Sequence, residues 1–428
     1  MRDRAARVRA LLDRFGQRGI AAALDIGLYA AGNLVLNVLL ARAAGPHRYG
    51  LFTAVFVAYL FGATLHESVF TEPMLVFGAK ESDEHRPAYL GSLLRGHLTV
   101  MVPLGAVTAV IAAVTLAGDA RSTVVAAALA APILTAGQMT SRAAYLGDRP
   151  WLPATSSSAY ALTVVAGAVV LRVGDRLTPS TAFGALALAA VVGAAPVARA
   201  LGMLGHGLGA IRPIVRRHWV YGRWSAAAST IRWVPANLPI VAVSAWTGFE
   251  GASRLRAAGL FTTPALLGIS AVSLLALPSF ARDESLERVA RRARRVATGL
   301  AAAGLVLVPA AAAIGPGLVA AVLGESFRPS RLLIVVIALI PSVTCISAVY
   351  GALLRAVERP AAVFRGSVVA AALTLACGLP LIAWRGPEGA AIGLVISNVG
   401  MAATLVASAR RLQHEAPAQA GADRGRHP

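Results

Sequence analysis

The sequence predicts an all-α integral membrane protein of about twelve transmembrane helices, arranged as two parallel lobes of six helices. The 428-residue chain is 57% hydrophobic and only 14% charged, with a mean hydropathy of +0.67. Most of it therefore cannot be exposed to water as a soluble domain is. Apolar runs of about 17 to 25 residues, the length needed to cross a bilayer, recur along the whole chain, and short sequence matches relate its two halves.

The predicted spans fall into two sets of six. The first set comprises 20–44, 49–78, 90–117, 122–146, 154–172 and 180–205, and the second comprises 226–247, 257–281, 296–322, 329–355, 361–384 and 388–409. The first span follows a basic segment and is too long for a signal-peptide core, so it is expected to remain in the membrane.

Arginine positions predict the orientation of these spans. Six arginines precede the first span, and the even-numbered connections and the C-terminal tail carry most of the others. By the positive-inside rule, both termini are cytoplasmic. The net charge of +20 is therefore attributed to topology and to attraction by anionic lipid headgroups. Nucleic-acid binding is not expected, because no RNA- or DNA-binding motif accompanies the charge.

Internal repetition indicates the two-lobe organisation. The tetrapeptide that begins at Gly50 recurs at Gly259, and two further matches have similar offsets: 148–150 with 358–360, and 116–121 with 323–328. Six helices separate the copies, so the halves are expected to have the same orientation.

The domain limits follow from the spans and the repeat. We predict a basic cytoplasmic segment 1–19, a first lobe 20–205, a cytoplasmic linker 206–224, a second lobe 225–409 and a cytoplasmic tail 410–428, which is expected to be disordered.

A polar stripe marks the first span. Asp25, Tyr29, Asn33 and Asn37 are each four residues apart, so they lie on one slowly drifting helical face. An ionised Asp costs about 2.5–3.5 kcal/mol at the centre of a membrane-inserted helix. Asp25 is therefore expected to face a protein interior or a wet cavity, where it is a candidate for ion coupling. An interfacial Asp near the cytoplasmic end is the alternative.

The second span carries Glu67 and Glu72, with Pro73 one residue further on. Proline removes a backbone donor, so a break or kink is predicted between residues 70 and 73. The two carboxylates are candidates for ion coupling. The alternative is that they form ion pairs with neighbouring arginines and brace the bundle.

The seventh span contains Arg232, followed by Pro235 and Asn237. A buried Arg is expected to form either an intramembrane ion pair or an anion contact, because a guanidinium can bind phosphate oxygens in bidentate fashion.

Three stretches resemble parts of the polysaccharide-biosynthesis flippases. They are LLARAAGPHRYGLF at 39–52, AAGLF at 257–261 with LPSF at 277–280, and VLGESF at 322–327. That family shares a superfamily with the multidrug and toxin extrusion (MATE) transporters and the lipid II flippase. The resemblance implies a MATE-like, V-shaped pair of six-helix lobes that moves a lipid-linked oligosaccharide from the inner to the outer leaflet by alternating access.

The residues above suit that substrate. Arg232, Asn33, Asn37 and Asn237 are candidates for binding the anionic headgroup of a polyprenyl-diphosphate sugar, while Asp25, Glu67 and Glu72 are candidates for ion coupling. The resemblance further implies a bacterial cytoplasmic membrane, with membrane lipids and the polymerase and glycosyltransferases of the same pathway as partners.

Other function classes fit less well. Membrane glycosyltransferases need larger outer connections than this chain has, and no phosphate-cradling glycine loop suggests an ATPase, so no enzymatic activity, catalytic residue or cofactor is expected. Two cysteines, Cys345 and Cys377, give no metal spacing or disulfide framework. The main alternative is a cation-coupled antiporter of drugs or other small molecules on the same fold. A facilitator-type porter and a non-transporting scaffold are the remaining alternatives.

Overall fold

The computed structural model describes the backbone of residues 2–147, 149, 151–204, 211–281, 286–357 and 359–424. It describes the side chains of these residues except 2–19, 211–213, 267, 270–279, 281, 286 and 414–424. Nearly all of the described backbone is helical, and it contains no strand. The predicted all-α class is therefore confirmed.

Three of the helices contain a residue whose backbone angles interrupt the helix. These helices are Arg2–His66, Ile211–Ala281 and Leu379–Arg424, with breaks at Gly45, Gly248 and Gly386. Divided there, the described residues form twelve segments: α1 (2–44), α2 (46–78), α3 (Arg86–Thr115), α4 (Gly118–Ala143), α5 (Leu152–Val173), α6 (Pro179–Ala200), α7 (211–247), α8 (249–281), α9 (Leu286–Leu305 with Leu307–Leu323), α10 (Arg331–Ala338 with Ile340–Ala356), α11 (360–385) and α12 (387–424).

The break at Gly45 is a tight reversal of the chain. The Tyr49 hydroxyl donates a hydrogen bond to Oδ1 of Asn37 over 3.0 Å, whereas residues this far apart in an uninterrupted helix would be separated by about 18 Å. Gly45 has φ of 74°, a left-handed conformation that glycine adopts without the steric cost of a Cβ.

Positive φ angles recur at matching turns in the two halves. The pairs are Gly45 and Gly248, Gly118 and Gly324, and Asp175 and Gly386; Gly202 is the other described residue with positive φ. Gly118 and Gly324 are 206 residues apart, so this pair supports the predicted match of 116–121 with 323–328 to within one residue. The tetrapeptide match is wrong as a structural equivalence, since Gly50 follows its turn by five residues and Gly259 follows its turn by eleven. Residues 148, 150 and 358 of the third match lie outside the described residues.

Two compact units comprise residues 1–230 and 231–428. In the first, buried Phe70, Met74, Leu90 and Met139 pack together. In the second, one cluster centres on Val243 and Ile337 and another on Val349 and Leu405. The lobe limits at 205 and 225 stay a prediction.

Several helices are longer than predicted. The eighth helix begins directly after Gly248 instead of at residue 257. Its first turns are charged: Nη2 of Arg254 lies 4.0 Å from Oε2 of Glu250, one turn earlier on the same exposed face. The ninth begins at Leu286 instead of 296. The last helix continues through Arg424, which differs from the disordered tail that the sequence predicts.

The predicted break before Pro73 is confirmed. Residues Glu67–Thr71 form a π-helical turn in which the Glu72 N–H bonds to the Glu67 carbonyl. The wider turn accommodates the proline, which begins the following stretch of α-helix.

Eight helices in the described residues are long and apolar enough to span a membrane. Two of them, Ile20–Gly78 and Pro360–Gln413, have 59 and 54 residues and contain the breaks at Gly45 and Gly386, so each is long enough for two crossings. Large apolar side chains such as Val110 and Val114 of α3 remain exposed, which suits contact with lipid. The chain is a multi-pass integral membrane protein.

Candidate functional site

A cavity of about 340 Å³ lies inside the first unit. Five of its helices, α1, α2, α4, α5 and α6, supply the walls. The polar lining residues are Asp25, Tyr29, Thr64, Glu67, Thr71, Gln138, Ser141, Arg142, Ser156, Ser157 and Tyr160. Such a concentration of polar groups within membrane helices marks a candidate functional site.

Small residues bring these helices together. A Cβ on Gly137 would lie 2.8 Å from Cβ of Ala190, and one on Gly193 would lie 2.9 Å from Cβ of Tyr160. The Ser156 hydroxyl donates to the Gly193 carbonyl over 2.7 Å. Close approach of small residues and hydrogen bonds across helices are the usual ways in which membrane helices associate.

Asp25 is held at the cavity wall by two hydroxyl donors. Its Oδ2 accepts a hydrogen bond from the Tyr145 hydroxyl over 2.6 Å, and its Oδ1 accepts one from the Ser157 hydroxyl. The residue is half-buried. Of the two alternatives for Asp25, the structure therefore places it in an internal cavity.

Tyr29 and Tyr160 form an aromatic wall next to Asp25. Their rings stack with centroids 4.5 Å apart, and Nε2 of Gln138 donates to the Tyr29 hydroxyl over 3.3 Å. Sequence reasoning missed Gln138, Tyr145, Ser157 and Tyr160 as site residues. Hydroxyl and aromatic residues are common in membrane helices, and only the packing of α4 and α5 against α1 brings them to Asp25.

The side chains of the two asparagines of α1 form hydrogen bonds within the first unit. Asn33 Nδ2 donates to the Tyr29 carbonyl over 2.8 Å, and its Oδ1 accepts from the Tyr160 hydroxyl over 3.1 Å. Asn37 Nδ2 donates to the Asn33 carbonyl over 2.8 Å, and its Oδ1 accepts from Tyr49. The predicted polar stripe therefore divides: Asp25 and Tyr29 line the cavity, whereas the asparagines hold the helices together.

The side chains of Glu67 and Glu72 lie in different environments. Glu67 lines the cavity, whereas Glu72 accepts a hydrogen bond from the Ser225 hydroxyl of α7. Within the described residues, neither forms an ion pair with an arginine. Both carboxylates remain exposed because they point away from the buried face of α2, which carries Phe70 and Met74.

The other face of this π-helical region contains a buried histidine pair. Nε2 of His66 lies 2.7 Å from Nδ1 of His97, and Nε2 of His97 lies 2.9 Å from the Pro132 carbonyl. Because a carbonyl only accepts, His97 carries its proton on Nε2, and in the neutral pair His66 is the donor to Nδ1. The His66 ring stacks on Phe70, 4.9 Å away. These hydrogen bonds join α2, α3 and α4.

The first half of α7 packs on α2 and α3. His218 Nε2 lies 2.8 Å from the Tyr89 hydroxyl, the Arg217 guanidinium lies 4.0 Å above the Phe77 ring, and a Cβ on Gly222 would meet the Ser68 carbonyl at 2.7 Å. Burial lowers the pKa of His218 to about 4, so the ring is neutral at pH 7. Residues 206–210 of the predicted linker lie outside the described residues.

Arg232 and Asn237 belong to the second unit. Arg232 is exposed, so the prediction that it is buried is wrong. Ala236, one turn further along α7, is exposed on the same helical face. Nδ2 of Asn237 lies 3.5 Å from the Trp233 carbonyl.

Comparison of the sequence with protein-family profiles and with curated proteins gives no match. Solved structures do match. The lipid II flippase MurJ in an inward closed conformation has a TM-score of 0.74 at 12% identity, over 91% of this chain and 87% of that chain. An inward-facing multidrug resistance MATE family transporter of the MOP superfamily gives 0.67 at 15% identity, over 90% and 94%.

A MOP superfamily transporter from Pyrococcus furiosus, described as having a binding pocket of reverse polarity, gives a TM-score of 0.62 at 12% identity, over 93% of this chain and 95% of that chain. At these identities the likeness concerns the fold. The similarity covers nearly the whole length of each chain, including both units. The chain therefore has the MATE-like fold of the MOP superfamily, the fold that the lipid II flippase and the multidrug transporters share.

Proposed function

We propose that the protein is a membrane transporter that flips a polyprenyl-diphosphate-linked oligosaccharide from the inner to the outer leaflet by alternating access, for export of a surface polysaccharide. The observation that carries this proposal is the cavity of the first unit, where a carboxylate lies within membrane helices. Intramembrane carboxylates are energetically costly and commonly mark ion or substrate pathways. The fold shared with the lipid II flippase and the motifs that resemble polysaccharide flippases favour a lipid-linked substrate.

Asp25 is the ion-coupling residue in this proposal. The Tyr145 and Ser157 hydroxyls orient its carboxylate, and the space beside it admits a proton or a small cation. Binding of either neutralises the charge and so lowers the cost of enclosing the carboxylate in a dry conformation. Glu67, on the same cavity, is a second coupling candidate. Glu72, which hydrogen-bonds to Ser225, is the weakest of the three.

Arg232 is the proposed contact for the diphosphate. Its guanidinium can bind two phosphate oxygens at once, and the residue is exposed. Asn237, five residues further on, is proposed to bind the same headgroup. For Asn33 and Asn37 we propose positioning of α1, since their amides are engaged within the unit. No catalytic step or cofactor is proposed.

The transporter is proposed to work in a bacterial cytoplasmic membrane with both termini on the cytoplasmic side. Its partners are membrane lipids, the lipid-linked glycan, and the polymerase and glycosyltransferases that extend and assemble that glycan. The distribution of arginines supports this orientation.

Cation-coupled antiport of a small molecule is the second candidate. The observation that favours it is the stacked pair Tyr29 and Tyr160 beside Asp25. An acidic cavity with an aromatic wall suits an organic cation, because cation–π contacts contribute about 0.5–2 kcal/mol.

Proteoliposomes distinguish the two functions. The purified chain is reconstituted with a fluorescent polyprenyl-diphosphate oligosaccharide, and its arrival in the opposite leaflet is measured with a membrane-impermeant quencher. In parallel, accumulation of a fluorescent organic cation is measured under a proton or sodium gradient. Flipping without cation accumulation supports the proposal, the reverse result supports antiport, and inactivity in both assays argues against transport of either class.

An arginine variant tests the diphosphate contact. Arg232→Gln is expected to slow flipping at least about tenfold, as loss of a charge-assisted contact does. Arg254→Gln, a change of the same kind at another exposed position of the second unit, serves as the control. Equal flipping rates in the two variants would exclude a specific role for Arg232.

A further inference from the structure

The first three turns of α9 carry an arginine stripe. It consists of Arg288, Arg291, Arg292, Arg294 and Arg295, all of them exposed. Four of these positions follow the spacing i, i+3, i+4 and i+7, which places side chains on one helical face. Within the helix Leu286–Leu305, Glu287 is the acidic residue that accompanies them.

The opposite face fixes the direction in which the stripe points. Val289 and Ala293, 2% and 0% exposed, pack into a core cluster with Val349 and Leu353 of α10. Rotation of α9 would remove these side chains from the cluster. The arginines therefore project outward as a set and cannot turn back into the unit.

The length of α9 places the stripe at the membrane surface. The stripe is the first part of the helix Glu287–Leu323. Residues 296–323, which follow it, contain no charged residue and are about 42 Å long at 1.5 Å per residue, against about 40–45 Å for a bilayer with its headgroup regions. The arginines therefore begin where this uncharged part of the helix reaches the membrane surface. The stripe extends about 10 Å along the helix, comparable to the headgroup layer of about 5–8 Å on each side of a bilayer.

Further arginines surround the same end of the second unit. Arg355 lies in the last turn of α10, directly after Leu353 and Leu354. Arg410 and Arg411 follow Ala409 of α12, and Leu353, Leu354 and Ala409 belong to the same core cluster as Val289. All three arginines are exposed. Positive charge is therefore concentrated around one end of a single packed cluster.

Five arginines and one acidic residue, Glu287, lie in the stretch 287–295. Nη1 of Arg291 lies 3.2 Å from Oε2 of Glu287, and both side chains of this pair are exposed. Like charges four residues apart, such as Arg291 with Arg295, destabilise a helix. Anions bound at the stripe relieve this repulsion, and guanidinium groups match the geometry of phosphate oxygens.

We propose that the arginine stripe is a binding surface for the phosphate groups of anionic phospholipids in the adjoining leaflet. Its depth, its fixed outward direction and its charge all match a layer of phosphodiester headgroups. The site is separate from the cavity of the first unit and does not depend on which substrate the protein transports.

The test compares two triple variants of the full chain. Arg291→Gln/Arg292→Gln/Arg295→Gln removes three charges from the stripe, and Arg121→Gln/Arg176→Gln/Arg385→Gln removes three exposed charges at odd-numbered connections. Thermal unfolding in neutral detergent is followed during titration with phosphatidylglycerol, with phosphatidylcholine as the uncharged comparison. The stripe variant is expected to bind phosphatidylglycerol at least about tenfold more weakly than wild type, whereas the control stays within about twofold.

Each remaining outcome overturns the proposal. Unchanged affinity in the stripe variant removes its role, and equal weakening in both triple variants shows general charge attraction in place of a site. Inorganic phosphate at equal concentration is expected to have no effect; stabilisation by it would make the stripe a free-anion site. If the triple variant does not fold, Arg292→Gln/Arg295→Gln replaces it, with about fivefold weaker binding expected and unchanged binding counting against the proposal.

Discussion

The two units share a pattern of turns but differ in their interiors. Asn37 precedes the turn glycine Gly45 by eight residues and Tyr49 follows it by four, and their side chains are hydrogen-bonded. At the same distances from Gly248 the second unit has Ile240 and Ala252, which belong to an apolar cluster. The same hairpin is thus closed by a buried hydrogen bond in one unit and by apolar packing in the other.

The difference extends to the charged and titratable groups. Asp25 lies twenty residues before Gly45, and the corresponding residue before Gly248 is Ala228. His97 lies twenty-one residues before Gly118, and its counterpart before Gly324 is Ala303. In the second unit, the arginines of α9 instead lie on the surface. The turn glycines are therefore shared by the two units, whereas the carboxylate of Asp25 and the imidazole of His97 are replaced by alanine at the matching positions of the second unit.

The largest effect is expected from Asp25→Asn. Asparagine keeps the size and an acceptor for Ser157 or Tyr145, but it cannot be neutralised by a proton or cation. Gradient-driven transport in proteoliposomes should fall at least about tenfold, equivalent to about 1.4 kcal/mol. Asp119→Asn makes the same change at an exposed ion pair with Arg48 and should retain transport. Wild-type rates in Asp25→Asn would show that the polar interior of the first unit is structural only.

If the turns at Gly45 and Gly248 are equivalent, replacement of either glycine by alanine should lower the free energy of unfolding by the same amount. Gly45 and Gly248 have φ of 74° and 79°, and a Cβ added at either position would have no neighbouring atom within 4 Å. Ala should therefore cost about 1–2 kcal/mol at both, purely from backbone strain. Reversible unfolding in mixed detergent micelles measures the loss.

The control for these variants is Gly62→Ala, a helical position that also has open space, where Ala should be neutral or stabilise by up to about 1 kcal/mol. A loss at Gly45 without a loss at Gly248 would contradict the equivalence of the two turns.

The smallest effect concerns the hydrogen bond between Tyr49 and Asn37. Tyr49→Phe and Asn37→Leu should each destabilise the first unit, whereas the double variant, which imitates the apolar hairpin of the second unit, should recover part of the loss. A coupling free energy of about 0.6 kcal/mol is expected, typical of hydrogen bonds between membrane helices. A double-mutant cycle on unfolding free energies provides it, and additive losses would show that the bond contributes no coupling.

Local sequence patterns predicted much of the fold. Apolar runs gave the helices to within a few residues where their ends are apolar, but α8 and α9 begin earlier because charged residues such as Glu250 and Arg291 continue the helix beyond the hydrocarbon. Pro73 predicted the irregular turn of α2, because the lack of a backbone N–H in proline is a property of that single residue. The repeat was visible at Gly118 and Gly324, whereas the match of Gly50 with Gly259 involved residue types that recur by chance in apolar helices.

The sequence by itself determined the membrane class, the helical elements, and Asp25 and Glu67 as candidate site residues. Hydropathy and the cost of a buried carboxylate are properties of single residues and their near neighbours. Only the tertiary structure decided which polar groups meet. Tyr145 and Ser157 lie more than a hundred residues from Asp25 along the chain, and Asn33 and Asn37 bind within the unit because the packing of α1 on α2 and α5 brings Tyr49 and Tyr160 within hydrogen-bonding distance.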